Sequence, residues 1–490
     1  MNRPIRIMAI FCMMLFVALL VNATYLQYVE AGSLNGHNNN KRVRDAEFSR
    51  KRGAILVAGR PIAESRPVSD QYKYLRYYPE AREYAQSTGY YSYIFGKNAV
   101  ELTQNDILSG SDPRLFVNRV VDLFGNSQPK GGSVSLTLNP KAQRAAYDGL
   151  AALNKGKRTL GAVVALEPST GKILALASSP TYNPNRLSSH NFTNIERAWK
   201  QLTTDPTQPM LDRAIQTRVP PGSTFKLVTA AAALSTGRYT PNTKVKGGSE
   251  LHIPTMSKPL TNENGTNCGG DPITLTQALE VSCNVSFGSI ALHIGQDAIR
   301  SQAAKFGFGQ TYLSDLNGQV ASIFPSNLDQ PQTALSAIGQ FDTATTPLQM
   351  AMVAAGIANG GTVMRPYLVD EVRAPDLSVL DKTTPEPLHN HAISASVARD
   401  LTQMMVAVVQ SGTGTTAQIP GVLVAGKTGT AQSEKSRPPY AWFVSFAPAD
   451  NPKVAVAVLI EDAGVARDAI SGSGLAAPIA RSVMEAVINP

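Results

Sequence analysis

The chain is poor in the residues that build metal and redox sites. Its 490 residues include three cysteines and six histidines. No Cys-x-x-Cys occurs and the histidines are scattered, so zinc-ligand spacing and a dithiol redox motif are both missing. "HNH" at His389 to His391 reads as a solvated loop, and neither a metal nor a cofactor is expected. There is no P-loop spacing and no dense Lys/Arg tract interleaved with aromatics, so no nucleic-acid partner is expected despite a net charge of +9. That charge suits other anionic surfaces, including membranes and cell-wall polymers. Beyond the first 26 residues no long apolar run recurs, which excludes several helical membrane spans. Repeats and low-complexity tracts are also lacking.

What remains is globular: 43% hydrophobic and 17% charged residues, over a length that suits two or three domains. Arg3 and Arg6 precede an uncharged stretch from Ile7 to Ala23, which Thr24, Tyr25 and Leu26 extend to nearly the length of a bilayer span. We read residues 1–6 as a cytoplasmic tail and 7–26 as a transmembrane anchor, with the rest of the chain extracytoplasmic. A cleaved signal peptide is the rival, but the apolar run is long for a signal core. Cys12 falls in the anchor. Cys268 and Cys283 fall outside, where disulfides persist, although sequence alone does not place them side by side.

Residues 29–51 are polar and basic and read as a linker. "RGAILVAGRPIAES" reads as two short strands around a Gly-Arg-Pro turn. Residues 71–130 are Tyr-rich and read as a small non-catalytic domain. "GAVVALEPSTGKILALASSP" is a strand hairpin, and "TFKLVTAAAALSTG" is a helix apolar on nearly every face, hence central and buried. More helices follow to about Asn359. Then come the strands "GVLVAGKTGTAQ", "AWFVSFAP" and "VAVAVLIED", and a closing helix, "APIARSVMEAVI". This order predicts an α+β fold with an antiparallel sheet packed by helices.

Three short strings carry candidate chemistry. Ser-x-x-Lys occurs three times. "SQPK" (Ser127 to Lys130) and "STGK" (Ser169 to Lys172) sit in polar turns and read as surface. "STFK" (Ser223 to Lys226) opens the buried helix, where i and i+3 share a face and the amine can reach the hydroxyl. Burial would lower the lysine pKa and let it act as a base, and the helix N-terminus favours developing negative charge. The bland alternative is a capping serine beside a snorkelling lysine. "SCN" (Ser282, Cys283, Asn284) adds a second hydroxyl and an amide, whereas "SLN" (Ser33 to Asn35) and "SHN" (Ser189 to Asn191) lie in polar segments. "KTG" (Lys427 to Gly429) occurs once, in a strand, where glycine would let a ligand approach and Lys427, Thr428 and Thr430 could hold a carboxylate. Each string is weak alone; in this order, each in a suitable element, they form one signal.

With these motifs the chain resembles the penicillin-binding proteins, specifically the class B peptidoglycan transpeptidases. "RGAIL", "AVVALEPSTGKILALAS", "PPGSTFK", "TPLQMAMVAAGIANGG", "KTGTAQ" and "AWFVSFAP" extend the resemblance over residues 45–490. It implies a dimerisation or pedestal domain at 27–135 and a serine β-lactamase/transpeptidase-like domain at 136–490. It also implies acyl transfer from a D-Ala-D-Ala stem peptide, through an acyl-serine, to an amine acceptor. By resemblance, Ser223 is the nucleophile and Lys226 its base. Ser282 relays a proton under the influence of Lys427, and Asn284 positions Lys226 and the substrate amide. Thr428, Gly429 and Thr430 bind substrate, with the Ser223 and Thr430 N–H groups as the oxyanion hole. β-Lactams would acylate Ser223, and a SEDS-type glycan polymerase is the expected membrane partner. Cysteine inside Ser-x-Asn is a departure from the usual pattern, and we expect Cys283 to pair with Cys268 and brace the site.

Rival readings use the same site differently. A D,D-carboxypeptidase or β-lactamase passes the acyl group to water. The closest string to a class A β-lactamase acid segment is "EPLHN" (Glu386 to Asn390), with its leucine one place early. A membrane β-lactam sensor would need a cytoplasmic signalling part, and about six residues precede the anchor. The residues ahead of 150 are too few for a glycosyltransferase domain plus a linker domain.

Overall fold

The computed structural model describes residues 2–30, 41–115, 130–153, 159–433 and 437–489. Its centre is a five-stranded antiparallel sheet in the order Ala425–Ala431, Tyr440–Ala447, Val454–Asp462, Leu160–Leu166, Ile173–Ser179. Side chains alternate between faces along each strand. Val163, Ala165, Phe443, Val456 and Val458 face one way, against Ala146 and Leu150 of helix Pro140–Ala152 and Ile479 and Val483 of helix Ala477–Ile488. Ala162, Val164, Trp442, Val444 and Ala457 face the other, against helix Pro347–Ala358, while helix Ala395–Gln410 packs on the edge strand Ala425–Ala431. Both faces are covered by helices, so the strands read as unbroken apolar runs. The fold is α+β, as the order of elements implies.

The buried central helix is Lys226–Ser235, in which every residue from Lys226 to Leu234 is buried. Helix Ala395–Gln410, between the helical middle and the returning strands, is an element beyond those expected. Its amphipathic pattern buries Leu401, Met404, Met405 and Val408.

A second sheet has six strands, in the order Val379–Lys382, Val369–Arg373, Ser133–Leu136, Ile55–Val57, Arg60–Pro67, Tyr74–Tyr77. Two of its strands come from residues 369–382, so the N-terminal region and the remainder share one backbone ladder across residue 135. The hairpin turn sits at Ala58 and Gly59, one place before the expected Gly-Arg-Pro. Val57 pairs with Arg60, and Ala58 and Gly59 take φ of 47° and 76°. Two positive φ angles give the twist that matches paired strands, and glycine supplies one of them freely.

Part of the expected linker is ordered. Helix Lys41–Phe48 delivers Phe48 into a cluster with Tyr72, Tyr91 and Tyr93, stacked on Tyr91 at 4.3 Å. Nearby, buried Glu101 accepts from Arg52 Nε and Arg76 Nε, both at 2.6 Å, and from the Tyr78 hydroxyl at 3.1 Å. A buried carboxylate needs that many partners. His389 is not in an open loop; it ends the short strand Pro387–His389, which pairs with Val363–Met364.

At the N-terminus, helix Asn2–Thr24 runs on through Tyr25–Val29 with its apolar side chains exposed. The stretch Arg3–Val29 has a mean hydropathy of 2.5 over its most apolar window and is long enough to cross a membrane.

Candidate active site

The Ser223 turn is locked from several sides. Gly222–Phe225 forms a single 3-10 turn that feeds helix Lys226–Ser235, so Ser223 precedes the α-helix rather than lying inside it. Gly222 has φ +53°, and a Cβ there would stand 2.9 Å from the Thr430 carbonyl oxygen, so only glycine fits. The Gly222 N–H donates to Gly339 O at 2.9 Å. Trp442 Nε1 donates to Pro220 O at 2.9 Å, which ties the turn to the central sheet.

Ser282 lies between helices Leu275–Glu280 and Asn284–Ile294, with φ of 62°. A serine in the left-handed region is strained and persists where its surroundings hold it. Cys283 N–H donates to Ala278 O at 2.8 Å, and Cys283 is disulfide-bonded to Cys268, with Cα atoms 5.7 Å apart. Asn262, which the sequence did not flag, fastens the same segment: its Oδ1 accepts from Asn284 N at 2.9 Å and Val285 N at 3.1 Å. Its Nδ2 donates to Gly248 O and Thr266 O. Nothing in "TNENGTN" marks Asn262 as special before its neighbours are known.

Lys427, Thr428, Gly429 and Thr430 lie on the edge strand of the central sheet, opposite Val444, Phe443, Trp442 and Ala441. Packing gives a further reason for glycine at position 429. A Cβ on Gly429 would meet Thr224 Cγ2 at 2.9 Å and Pro221 O at 3.0 Å, so the chain's own Ser223 turn makes the close approach. Thr428 Oγ1 is hydrogen-bonded to Thr413 Oγ1 at 2.6 Å, another partner not apparent from sequence.

These three segments converge. Lys226 Nζ stands 2.9 Å from Ser223 Oγ, 2.6 Å from Ser282 O, 3.2 Å from Ser282 Oγ and 2.7 Å from Asn284 Oδ1. Lys427 Nζ stands 2.8 Å from Ser282 Oγ and 3.0 Å from Thr428 O. Both lysine side chains are fully buried, at 0% exposure. Burial pushes the Lys226 amine well below the usual lysine range; the Lys427 charge adds to this and Glu263 opposes it. Burial likewise pushes Lys427 down to about 7, with Glu263 opposing. A cleft of about 300 Å³ opens over them, with Ser223, Ser282, Thr428, Gly429 and Thr430 in its wall.

The other copies of these strings lie elsewhere. Ser169 is exposed and Lys172 is paired with Asp370 at 3.1 Å. Asn191 caps helix Phe192–Thr204. Ser127 and the Ser33 to Asn35 string fall outside the described residues. Glu386 is exposed, pairs with Arg365 and does not line the cleft.

A hydroxyl, a buried amine, a second hydroxyl and a second buried amine around one cleft define a serine acyl-transfer enzyme. The comparisons narrow this. Residues 161–485 match the penicillin binding protein transpeptidase domain and residues 52–134 the penicillin binding protein A dimerisation domain. The chain belongs to the penicillin-binding protein transpeptidase family. It is 43% identical to the peptidoglycan D,D-transpeptidase PbpA of Mycolicibacterium smegmatis, over 100% of this chain and 99% of that protein. It is 42% identical to PbpA of Mycobacterium tuberculosis, with the same coverage. The penicillin G acyl-enzyme complex of M. tuberculosis penicillin-binding protein A superposes with a TM-score of 0.85 at 41% identity, covering 90% of this chain and all of that one.

Proposed function

We infer that this chain is a serine-type peptidoglycan D,D-transpeptidase that binds penicillin covalently, and we propose Ser223 as its nucleophile. The observation that carries the assignment is the set of contacts around Lys226. A neutral amine has two hydrogens and one lone pair. Ser282 O at 2.6 Å and Asn284 Oδ1 at 2.7 Å are pure acceptors and take the two hydrogens. The lone pair is left for a hydroxyl, and Ser223 Oγ at 2.9 Å is nearer than Ser282 Oγ at 3.2 Å. Ser223 then donates its proton to Lys226 and attacks the carbonyl between the two D-alanines of a stem peptide. The Ser223 and Thr430 N–H groups stabilise the oxyanion. Ser282 Oγ, within reach of both lysines, returns a proton to the departing D-alanine. Asn284 positions Lys226 and the substrate amide, Lys427 tunes Ser282 electrostatically, and Thr428, Gly429 and Thr430 receive the terminal carboxylate. An amine of a neighbouring stem peptide takes the acyl group and closes the cross-link.

In this reading the Cys268–Cys283 bond braces Ser282 and Asn284. Residues 27–135 act as the pedestal and 136–490 as the catalytic domain. Residues 7–26 anchor the chain with the domains outside the cytoplasm, which the exposed apolar helix supports. A SEDS-type glycan polymerase is the proposed partner, met through the anchor and pedestal.

Labelled penicillin tests the site: the wild type retains it at one equivalent and Ser223→Ala retains none. Full labelling of Ser223→Ala would refute the assignment. Paired stem peptides test the acceptor. Cross-linked dimer supports transpeptidation, whereas trimmed monomer alone would mark a carboxypeptidase.

A further inference from the structure

The catalytic lysines stand behind the wall of the cleft. Among the described residues that line it, Glu263 alone carries an ionisable side chain. Glu263 is exposed, and among the described residues no side chain pairs with its carboxylate. Its position is nevertheless fixed. It opens the 3-10 turn Glu263–Gly265 directly after Asn262, which accepts the Asn284 and Val285 N–H groups. Five residues further on, Cys268 is bonded to Cys283. Both ends of the loop that carries Glu263 are thus fastened to the Ser282–Asn284 segment.

An acceptor amine is an ammonium at neutral pH. The chain carries a net charge of +9, and the two buried lysines behind the cleft wall repel a cation whenever either is protonated. A carboxylate held at the rim counters that repulsion. We propose that Glu263 docks the ammonium of the incoming acceptor stem peptide and so favours amine over water as the acyl acceptor. The docked ammonium releases one proton to solvent. Its nitrogen bonds to the acyl carbon, the Ser223 Oγ–carbon bond breaks, and the second proton passes through Lys226 to Ser223 Oγ.

The inference rests on Ser223 being the acylated residue, and the test separates the two. The full chain is given a D-Ala-D-Ala pentapeptide donor with glycinamide, an ammonium at neutral pH, or with hydroxylamine, which is uncharged there. Aminolysed and hydrolysed products are measured together. Both come from one acyl-enzyme, so a change in acylation rate cancels from their ratio. Glu263→Gln is expected to lower the glycinamide-to-water ratio about fivefold, the upper range for an exposed ion pair. The hydroxylamine-to-water ratio stays level, and Glu263→Asp recovers part of the glycinamide loss. An unchanged glycinamide ratio overturns the proposal. So does an equal fall for both acceptors, which would mean that Glu263 acts through the lysines. Absence of any penicillin adduct on wild-type Ser223 would instead remove the nucleophile assignment, and this inference with it.

Discussion

Lys226 and Lys427 meet at one oxygen. Ser282 Oγ lies 3.2 Å from the first amine and 2.8 Å from the second, and both amines are fully buried. Burial pushes both amines below the usual lysine range, and the Lys427 charge pushes Lys226 down further. Burial, aided by the Lys427 charge, lets Lys226 give up its proton and act as a base.

The first expectation concerns pH and acylation. Ser223 acylation requires neutral Lys226, so its rate rises with pH through the Lys226 pKa. The Lys427 charge pushes that pKa down. Lys427→Met therefore moves the acid limb of the penicillin acylation profile to higher pH. Stopped-flow acylation across pH 5–9 checks the direction; an acid limb that stays put or moves down would contradict the coupling.

Stability should run against activity. The Lys427 amine titrates at about 7 in the folded chain against 10.5 for an unperturbed lysine. Between those values the unfolded chain binds the extra proton, so stability rises with pH from about 7 to about 10.5 and is lowest below that window. Lys427→Met removes the burial penalty and is expected to raise Tm at pH 7 by about 3 °C or more. Calorimetry of the unliganded enzyme reads this, and a lower Tm would show that the Ser282 and Thr428 contacts outweigh burial.

Breaking the disulfide should loosen the site as well as the fold. Cys268 and Cys283 are separated by 15 positions, and closing a loop of that size is worth about 3 kcal/mol. The Cys268→Ser/Cys283→Ser double variant is expected to lose about that much stability. It should also acylate with penicillin at least about tenfold more slowly, because Ser282 would no longer be held at positive φ. Unchanged acylation in the folded variant would limit the bond to a stabilising role.

Gly429→Ala tests the contact between the edge strand and the Ser223 turn. The added methyl meets Thr224 Cγ2 at 2.9 Å and Pro221 O at 3.0 Å, so strand and turn must separate by a few tenths of an ångström. A displacement on the scale of the reacting groups is expected to slow acylation about tenfold or more, with Tm lowered by a few degrees. Wild-type acylation in this variant would mean that the contact is slack.

Much of this was legible in advance because the relevant signals are local. The apolar face of Lys226–Ser235, the strand runs and the i, i+3 relation of Ser223 to Lys226 depend on residues next to one another in the chain. The hairpin turn lies one residue before the expected Gly-Arg-Pro because several residues around Gly59 suit a turn, and cross-strand pairing selects among them. Helix Lys41–Phe48 was hidden in a polar stretch, since it is held by the docking of Phe48 among tyrosines rather than by its own periodicity.

The sequence alone determined the central strands and the buried helix, the apolar N-terminal span and the three motif strings, since propensity, hydrophobic period and spacing are properties of short segments. Tertiary structure alone decided that Ser223 and Ser282 share one cleft with Lys427 behind its wall, that Asn262 and Thr413 serve it, and that Glu263 stands at its rim. Those facts depend on which distant segments pack together. Close packing around the central sheet sets them, and no local pattern records it.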